Sequence, residues 1–334
     1  MRIDKLYIEQ RAQAYPATAH IQSLLEARET EVIDDYQNIF SRKKTPYLNK
    51  REKRNIIIAV RQGATVREAP PAYGYASKDP HYYYVHAFNC VYECEYCYLQ
   101  GYFSSPDLVL FVNHDDILAA MQQTMARHPG QIVWFHAGEF SDSLALSHIS
   151  GELPLYWRFF EDNKNARLEL RTKSSNLSVL RRLQPLSNVT VSFSLSTARQ
   201  SPQYDREAPS FAVRLNAMQN LAQAGFRLGV HFDPIIWAES FEQDFDGCIA
   251  ELSAHVAWPS IDYVSLGAVR FAKDVFREAR QNYPTSAMFA RNFIQGADHK
   301  IRYVRPLRLW LLETARQILK KHGCPEEKIY FCME

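Results

Sequence analysis

The chain has 334 residues, with 39 lysine and arginine residues against 37 aspartate and glutamate residues, and a formal net charge of +2 at pH 7. Hydrophobic residues make up 46% of the sequence, which is enough for a sizeable core and excludes an intrinsically disordered chain. The small net charge excludes a polycation that binds nucleic acid along its whole length, so any such contact requires a local basic patch.

The segment 1–55 is polar, and we expect it to form an irregular N-terminal extension with helices over 17–28 and 30–40. It contains a basic run, which is typical of a solvated face or linker, with a phosphate-contacting edge as the alternative. This run consists of Arg42, Lys43, Lys44, Lys50, Arg51, Lys53 and Arg54. The sequence shows neither the apolar region of a signal peptide nor an apolar run of about 18 residues. We therefore expect a cytoplasmic protein with no membrane partner.

From residue 56 onward, short β-rich segments alternate with longer amphipathic segments. The predicted strands cover 56–60, 82–88, 131–136, 167–171, 189–195, 227–232, 261–266 and 329–332. The predicted helices begin at Asn113, Phe211 and Pro306, and the last two end at Gly225 and Gly323. About six β/α units follow the strand at 82–88. The sequence therefore predicts an α/β fold, a partial (β/α)6-type TIM barrel over 56–334 with its chemistry on loops after the strands.

Three of the six cysteines fall within eight positions, directly after the predicted strand at 82–88. Cys90, Cys94 and Cys97 follow the spacing C-x3-C-x2-C, which lets three thiolates bind three irons of a 4Fe-4S cluster. The fourth iron can then chelate a cofactor or substrate. A zinc site is the alternative, but zinc sites usually show C-x2-C pairs and need a fourth ligand. With the aromatic Tyr96 before the last cysteine, the motif is similar to the radical S-adenosylmethionine (SAM) signature.

The sequence also resembles the spore photoproduct lyase family of radical SAM proteins. Residues 94–100, Cys-Glu-Tyr-Cys-Tyr-Leu-Gln, are similar to the ending C-x-Y-C-Y-L-Q of the family's cluster loop. Further short matches are 55–61, 111–117, Ser141-Asp142, Thr172-Lys173, Phe193-Ser194, 224–226, Pro234, Arg270-Phe271 and 330–334. These matches follow the family's order along most of the chain, and this shared order carries the resemblance.

The resemblance implies an activity and its cofactors. Family members bind SAM to a 4Fe-4S cluster and cleave it reductively to a 5′-deoxyadenosyl radical. The radical abstracts a hydrogen atom from a covalent thymine dimer in DNA, which is split back to two thymines. The implied enzyme is a radical SAM lyase for DNA photoproduct repair, with DNA as a candidate partner and a flavodoxin or ferredoxin as electron donor.

The resemblance also implies roles for four residues. By match of position, Lys173 and Ser194 contact the carboxylate of SAM, a task that suits an ammonium and a hydroxyl donor. Tyr96 lies against the adenine, with Tyr98 close by. In the family enzyme, the two tyrosines at these positions help to relay the hydrogen atom, so both are catalytic candidates here.

One position departs from the family pattern. The family enzyme carries a hydrogen-donating cysteine just after the second barrel strand, and the aligned residue here is Glu139. A carboxylic acid is a far poorer hydrogen-atom donor than a thiol. The radical SAM pattern implies that Gly138 and Glu139 receive the amino group of SAM, although a Glu139 that simply faces water is the alternative. Ser141 and Asp142 are further cofactor-binding candidates, and Cys332 is a hypothetical replacement for the missing donor.

Two other functions stay open at this point. One is a radical SAM enzyme with another substrate, such as a modified nucleotide, RNA or a peptide. The other is a non-catalytic nucleic-acid-binding protein with a structural metal, which predicts zinc and no SAM cleavage. His136 is either a satisfied core histidine or a substrate contact, and Cys248 is expected to be buried. Arg302, Arg305 and Arg308 form either a DNA backbone contact or a solvated helix end.

Overall fold

The computed structural model describes residues 1–42, 44–70 and 79–332, so Lys43 of the basic run lies outside the described residues. The chain divides into two compact units whose ranges interleave along the sequence. The first unit comprises Met1–Val91, Tyr102–Arg171 and Asn176–Asn188, and the second comprises Tyr92–Gly101, Thr172–Ser175 and Val189–Glu334. The predicted domain division after residue 55 stays a prediction. Within the described ranges, every helix is too short or too polar to cross a membrane.

The described residues contain the following strands and α-helices, given in chain order. The strands are β1 (Arg2–Glu9), β2 (Glu26–Ile33), β3 (Asn55–Ala59), β4 (Val66–Glu68), β5 (His81–Tyr84), β6 (Ala87–Phe88), β7 (Glu93–Cys94), β8 (Leu108–Phe111), β9 (Val133–Ala137), β10 (Ala166–Thr172), β11 (Val189–Ser194), β12 (Asp205–Arg206), β13 (Arg227–Ile235), β14 (Ile261–Ala268), β15 (Arg270–Phe271), β16 (Phe293–Gln295), β17 (Ile301–Tyr303) and β18 (Ile329–Phe331). The α-helices are α1 (Pro16–Leu24), α2 (Gln37–Phe40), α3 (Leu99–Tyr102), α4 (His114–Ala126), α5 (Ser147–Ser150), α6 (Leu153–Asp162), α7 (Ser201–Tyr204), α8 (Phe211–Gln223), α9 (Phe241–His255), α10 (Lys273–Asn282) and α11 (Arg305–Lys321).

The first unit contains a five-stranded sheet in the order β2-β1-β3-β8-β6. Its first four strands are parallel, and β6 runs antiparallel to β8. β3 and β8 are continuous apolar runs because both of their faces are buried. The same unit also contains β10, β9 and β5 as parallel neighbours, with β4 antiparallel to β5. The parallel strands place the loops that follow them at one edge of their sheet.

The second unit contains β11, β13, β14 and β18 as parallel neighbours in this order. Helix α8 packs on β13, and α11 packs on β14 and α9. The strand register pairs Ser194 with His231, His231 with Ser265, and Ser265 with Tyr330. Directly paired residues point to the same face of a sheet, so these four polar side chains share one face. This face carries Ser194, one of the predicted SAM contacts, at the carboxyl end of β11.

All eight predicted strand segments contain strands, and α4, α8 and α11 are the three helices predicted after residue 56. α1 overlaps the helix predicted over 17–28. Gly225 and Gly323 follow α8 and α11 with φ values of 88° and 81°, as expected for glycines that end helices. The segment 82–88 divides into β5 and β6, because β5 pairs with β9 whereas β6 pairs with β8 of the other sheet. Asn113 precedes α4, but its side-chain oxygen accepts a hydrogen bond from the backbone amide of Arg61 at 2.8 Å.

The expectation that residues 1–55 lack regular structure was wrong. β1 and β2 form a parallel pair there, and β1 also pairs with β3. The helix expected over 30–40 is instead the end of β2 followed by the short α2. Two glutamates of β2, Glu29 and Glu31, bind the Lys5 ammonium of β1 at 2.7 and 2.6 Å. Pairing with β1 therefore decides the conformation of this charged segment over its helix propensity.

Candidate active site

Cys90, the first predicted cluster ligand, lies in the first unit at a turn fixed by its neighbours. Asn89 has a left-handed φ of 62°, and its side-chain amide donates hydrogen bonds to the carbonyl oxygens of Ser105 and Asp107 at 2.8 and 2.7 Å. The Lys50 ammonium donates a 3.0 Å hydrogen bond to the carbonyl oxygen of Cys90. Lys50, from the basic run, thus stabilises the turn that carries a predicted cluster ligand.

Cys94 and Cys97 lie in the second unit on a segment held by backbone hydrogen bonds. β7 pairs with β12, which places Asp205 opposite Cys94, where the sequence predicted only a loop. The Cys97 amide donates to the Cys94 carbonyl oxygen at 3.0 Å. The Gln100 side-chain amide donates to the Cys97 carbonyl oxygen at 2.9 Å. Cys94 is buried and Cys97 is half-buried, so the segment presents both thiols from a fixed backbone.

Tyr96, Lys173 and Ser194 also belong to the second unit. The Lys173 ammonium lies 5.3 Å from the centroid of the Tyr96 ring, which is a cation–π contact. Burial opposes the charge of Lys173, but the Cys94 thiolate and the Asp205 carboxylate raise its pKa above the ordinary value. The structure thus brings Tyr96 together with a protonated Lys173, and Ser194 is the buried last residue of β11.

A buried ion pair is hydrogen-bonded to two of these residues, Tyr96 and Ser194. Arg214 Nη2 donates a 2.6 Å hydrogen bond to Asp205 Oδ2, and both side chains are 0% exposed. Asp205 Oδ1 accepts a hydrogen bond from the Tyr96 hydroxyl, and Arg214 Nη1 donates to the Ser194 carbonyl oxygen at 2.7 Å. Burial alone would raise the pKa of Asp205, but Arg214 and Lys173 hold it below the ordinary value. Asp205 is therefore a carboxylate that accepts from the Tyr96 hydroxyl.

Sequence analysis missed both members of this pair. Arg214 lies on the buried stripe of α8 together with Phe211, Leu215 and Met218. An arginine on an apolar helix stripe is the signal that could have found it, because a buried guanidinium requires a partner. Tyr98 differs from these residues in its environment, with 37% of its surface exposed.

The Gly138-Glu139 element follows β9 in the first unit. Gly138 has a φ of 88°, and a Cβ atom there would lie 2.7 Å from Ser143 Oγ and 3.0 Å from the Arg171 carbonyl oxygen. Ser143 Oγ donates to the same carbonyl oxygen at 2.7 Å. Only glycine fits this backbone and this space, so the residue lets the loop pack closely on Ser143 and Arg171. Glu139 is half-buried at the same turn.

Asp142 closes this loop by bonding its own backbone. Its Oδ1 accepts hydrogen bonds from the amides of Leu144 and Ala145 at 3.0 and 2.9 Å. This is the turn that aspartate favours through local side-chain bonds. Ser141 is half-buried beside it. Asp142 therefore has a structural task in the loop, in addition to its predicted cofactor contact.

His136 is the central member of a buried chain of polar groups in the first unit. Its Nε2 lies 2.9 Å from His81 Nδ1, and its Nδ1 is hydrogen-bonded to Glu169 Oε2. Burial, with His136 adding to the effect, lowers the pKa of His81 to about 4, so His81 is neutral near pH 7. Both ring nitrogens of His136 have protein partners, which is the arrangement of a satisfied core histidine.

Cys332 follows β18 in the second unit, where its amide donates to the Leu266 carbonyl oxygen at 2.7 Å. Arg270 Nη2 lies 3.8 Å from its sulfur. The same guanidinium donates to both carboxylate oxygens of Asp233 at 2.9 and 3.0 Å. Cys248 is buried in α9 as predicted, and burial raises the pKa of its thiol far above the ordinary value. Of these two thiols, Cys332 lies beside polar groups.

The predicted basic-aromatic patch does not form one exposed face. Arg308 is buried and donates a 2.7 Å hydrogen bond to the Tyr303 carbonyl oxygen, whereas Arg305 is exposed. Arg302 forms an ion pair with Asp298. Arg305 and Arg308 therefore do not share one exposed helix face, and the choice between a DNA backbone contact and a solvated helix end stays a prediction.

The residues present fit a 4Fe-4S cluster and SAM by their chemistry. Cys90, Cys94 and Cys97 supply three thiols from eight consecutive positions, the donor set that leaves one iron open. Lys173 supplies a protonated ammonium that suits the carboxylate of SAM. Gly138 lets its loop pack closely on Ser143 and Arg171, since no Cβ could be accommodated there.

Comparison with known proteins agrees with this reading. The family model described as spore photoproduct lyase matches residues 1–304. The spore photoproduct lyase of Clostridium acetobutylicum is 26% identical over 166 residues, which is 49% of this chain and 49% of that protein. The chain thus spans about half the length of this relative. The spore photoproduct lyase of Geobacillus sp. is 25% identical over 292 residues, 85% of this chain and 83% of that protein.

Solved structures show the same fold. A spore photoproduct lyase complexed with dinucleoside spore photoproduct has a TM-score of 0.82 at 22% identity and covers 98% of both chains. A mutant lyase with bound AdoMet and dinucleoside spore photoproduct also has a TM-score of 0.82, with the same coverage. This likeness confirms the predicted α/β fold, a partial barrel of the radical SAM type. The chain belongs to the spore photoproduct lyase family of radical SAM enzymes, whose cofactors are a 4Fe-4S cluster and SAM.

Proposed function

We propose that this chain is a radical SAM lyase that splits a covalent thymine photoproduct in DNA back to two thymines. The match of the family model over residues 1–304 carries the proposal. Solved relatives with bound dinucleoside spore photoproduct support the choice of substrate. A flavodoxin or ferredoxin would supply the electron in the cytoplasm, where damaged DNA is the substrate.

Cys90, Cys94 and Cys97 are proposed to hold the cluster. When bound, the cluster and SAM supply a 5′-deoxyadenosyl radical for abstraction of a hydrogen atom. The backbone bonds around Cys94 and Cys97 support this role, because they hold two thiols on a fixed segment. The turn at Asn89, held by bonds to two carbonyl oxygens, supports the same role for Cys90.

Four residues are proposed to orient SAM and relay the hydrogen atom. Lys173 and Ser194 would bind the carboxylate of SAM, supported by the protonated state of Lys173 and the position of Ser194 at the end of β11. Tyr96 would lie against the adenine, supported by its half-buried ring and by the hydrogen bond that its hydroxyl donates to Asp205. Tyr98, which is 37% exposed, would pass a hydrogen atom between substrate and cofactor.

The loop after β9 is proposed to bind the amino group of SAM, next to the carboxylate. Gly138 would let the backbone approach the amino group, and Glu139 would accept a charge-assisted hydrogen bond from it. Ser141 would contribute a further polar contact, and Asp142 would hold the loop through its bonds to backbone amides. The close packing of Gly138 on Ser143 and the Arg171 carbonyl oxygen supports this role, because it fixes the conformation of the loop.

A second candidate is a radical SAM enzyme with a different substrate, such as a modified nucleotide, RNA or a peptide. Glu139 favours it, because the resemblance places the hydrogen-donating cysteine of the family at this position. An enzyme without that thiol needs another donor for the product radical, or a reaction whose product needs none.

The decisive experiment is anaerobic reconstitution with iron and sulfide, reduction with dithionite, and incubation with SAM and dinucleoside spore photoproduct. The proposal expects 5′-deoxyadenosine and thymine from wild type and Cys248→Ala, and neither from Cys94→Ala. Formation of 5′-deoxyadenosine without thymine would favour the second candidate. A chain that binds zinc, or that binds iron without cleaving SAM, would overturn both and leave the metal-stabilised binding protein.

A further inference from the structure

The buried pair of Asp205 and Arg214 connects two parts of the second unit that sequence analysis assigned to the cofactors. Asp205 lies on β12, whose partner β7 contains Cys94, and its Oδ1 accepts from the Tyr96 hydroxyl. Arg214 lies on α8 and donates to the carbonyl oxygen of Ser194 at 2.7 Å. One ion pair thus ties the segment of two predicted cluster ligands to the end of β11.

All three nitrogens of the Arg214 guanidinium donate hydrogen bonds. Its Nε donates to the Pro209 carbonyl oxygen at 2.9 Å, and its Nη2 donates to Ser201 Oγ at 2.7 Å in addition to Asp205. Burying two charges is unfavourable unless the geometry is good and the remaining donors are satisfied. A satisfied buried network selects one arrangement of its members, because any displacement leaves a charge without partners.

Tyr96 receives its orientation from two polar contacts. Asp205 holds the hydroxyl at one end, and the Lys173 ammonium lies 5.3 Å from the ring centroid. Without the carboxylate, the half-buried ring would lose its acceptor and could turn to other staggered rotamers. Loss of Arg214 would leave the Asp205 carboxylate buried without its principal counter-ion and release the Ser194 carbonyl.

We infer that Asp205 and Arg214 are positioning residues of the SAM site, which act through Tyr96 and Ser194 and do not touch SAM themselves. The inference rests on the proposed function, because it takes Tyr96 and Ser194 as SAM contacts. It goes further in naming two residues, outside every short motif of the chain, on which the affinity for SAM depends. Asp205 fixes the orientation of the Tyr96 ring. Arg214 fixes the position of the Asp205 carboxylate and of the backbone at the end of β11.

The test is a SAM titration of the reconstituted and reduced proteins. The change in the electron paramagnetic resonance signal of the cluster measures the binding of SAM. Tyr96→Phe and Asp205→Asn should each raise the Kd for SAM about tenfold, the effect of losing one hydrogen bond to a charged group. The double variant should also show about a tenfold loss, because both changes remove one interaction. Independent effects would multiply to about a hundredfold.

Asp262→Asn is the matched control. Asp262 pairs with Arg227 and accepts a 2.8 Å hydrogen bond from Thr190 in the same unit. Arg227 begins β13, four residues before His231, which pairs with Ser194. This is about 13 Å along the strand, so the same chemical change should leave the Kd for SAM unaltered.

Arg214→Lys is a second, independent variant, which keeps a buried positive charge but cannot reach all four acceptors. It should raise the Kd for SAM at least tenfold while iron content and circular dichroism match wild type. Three results would overturn the inference: wild-type SAM affinity in Asp205→Asn, a hundredfold loss in the double variant, or loss of iron in both Asp205→Asn and Arg214→Lys. The last result would assign the pair to cluster retention. A wild type that holds iron but shows no spectral response to SAM would instead overturn the proposed function.

Discussion

Asp205 and Tyr96 are 109 positions apart in the sequence, yet the Tyr96 hydroxyl donates a hydrogen bond to the Asp205 carboxylate. Asp205 is also the backbone partner of Cys94 across the β7–β12 pair. Tyr96, the aromatic residue of the cysteine motif, is therefore held by β12, which follows β11 in the sequence. Replacements of residues in the candidate site, and of buried histidines, should change cofactor binding, product formation or stability.

Replacing one predicted cluster ligand should abolish cluster binding. Cys94→Ala is expected to lower the iron content after reconstitution to background, because two thiolates remain for three irons. Cys248→Ala, at an equally buried position in α9, should keep its iron and lose about 1 kcal/mol of stability. Iron analysis and the absorbance of the cluster measure both. Full iron content in Cys94→Ala would remove this residue from the ligand set.

Gly138→Ala should impair the SAM site through both backbone and space. The residue has a φ of 88°, and the new Cβ would lie 2.7 Å from Ser143 Oγ and 3.0 Å from the Arg171 carbonyl oxygen. We expect a loss of about 1–3 kcal/mol in stability and at least a tenfold weaker affinity for SAM. Calorimetry and a SAM titration measure these effects.

Gly130→Ala is a control that separates the effect of backbone strain from the effect of limited space. Gly130 has a φ of 74°, but no atom lies within 4 Å of the added Cβ position. This control should lose about 1 kcal/mol of stability from backbone strain alone and bind SAM as wild type does. Equal SAM affinities in the two variants would show that the space at Gly138 does not serve SAM.

Cys332→Ala tests whether this thiol replaces the hydrogen donor that the family carries at the position of Glu139. If it does, thymine formation should fall at least tenfold while 5′-deoxyadenosine formation continues, because the product radical would lose its donor. Cys324→Ala, at a buried thiol whose pKa burial raises to about 12, is the control and should change neither product. Unchanged thymine formation by Cys332→Ala would exclude the role.

The folded protein should lose stability as the pH falls from 6.5 towards 4. Burial lowers the pKa values of His81, His86 and His114 to about 4, whereas the unfolded chain binds these protons near pH 6.5. In this window the unfolded state binds more protons than the folded state. Acidification from pH 7 to pH 5 therefore lowers the free energy of unfolding, by about 2 kcal/mol for each histidine.

Denaturant titrations at pH 7 and pH 5 measure this effect. His114→Gln removes one of these three histidines and should reduce the difference in stability between the two pH values by about 2 kcal/mol. His255→Gln, at an exposed position near the end of α9, should leave the difference unchanged. A pH response that His114→Gln does not reduce would show that other groups cause it.

Local patterns carried most of the fold prediction. Alternation of β-rich and amphipathic segments predicted eight strand segments beyond residue 55, and each contains a strand, because a buried parallel strand is a short apolar run between turns. Gly225 and Gly323 predicted helix ends, because only glycine adopts the left-handed backbone there without strain. The same reasoning failed for β2, since its exposed and charged residues form a strand only through pairing with β1.

The sequence by itself determined the set of three thiols and the family of the chain. Both depend on residue identity and spacing, since ligand chemistry is a property of the side chains and their separation along one loop. Only the tertiary structure decided that Asp205 and Arg214 hold Tyr96 and Ser194, and that His136 is bonded on both nitrogens. These contacts join residues from separate strands and helices, so their partners depend on how the elements pack and not on any local spacing.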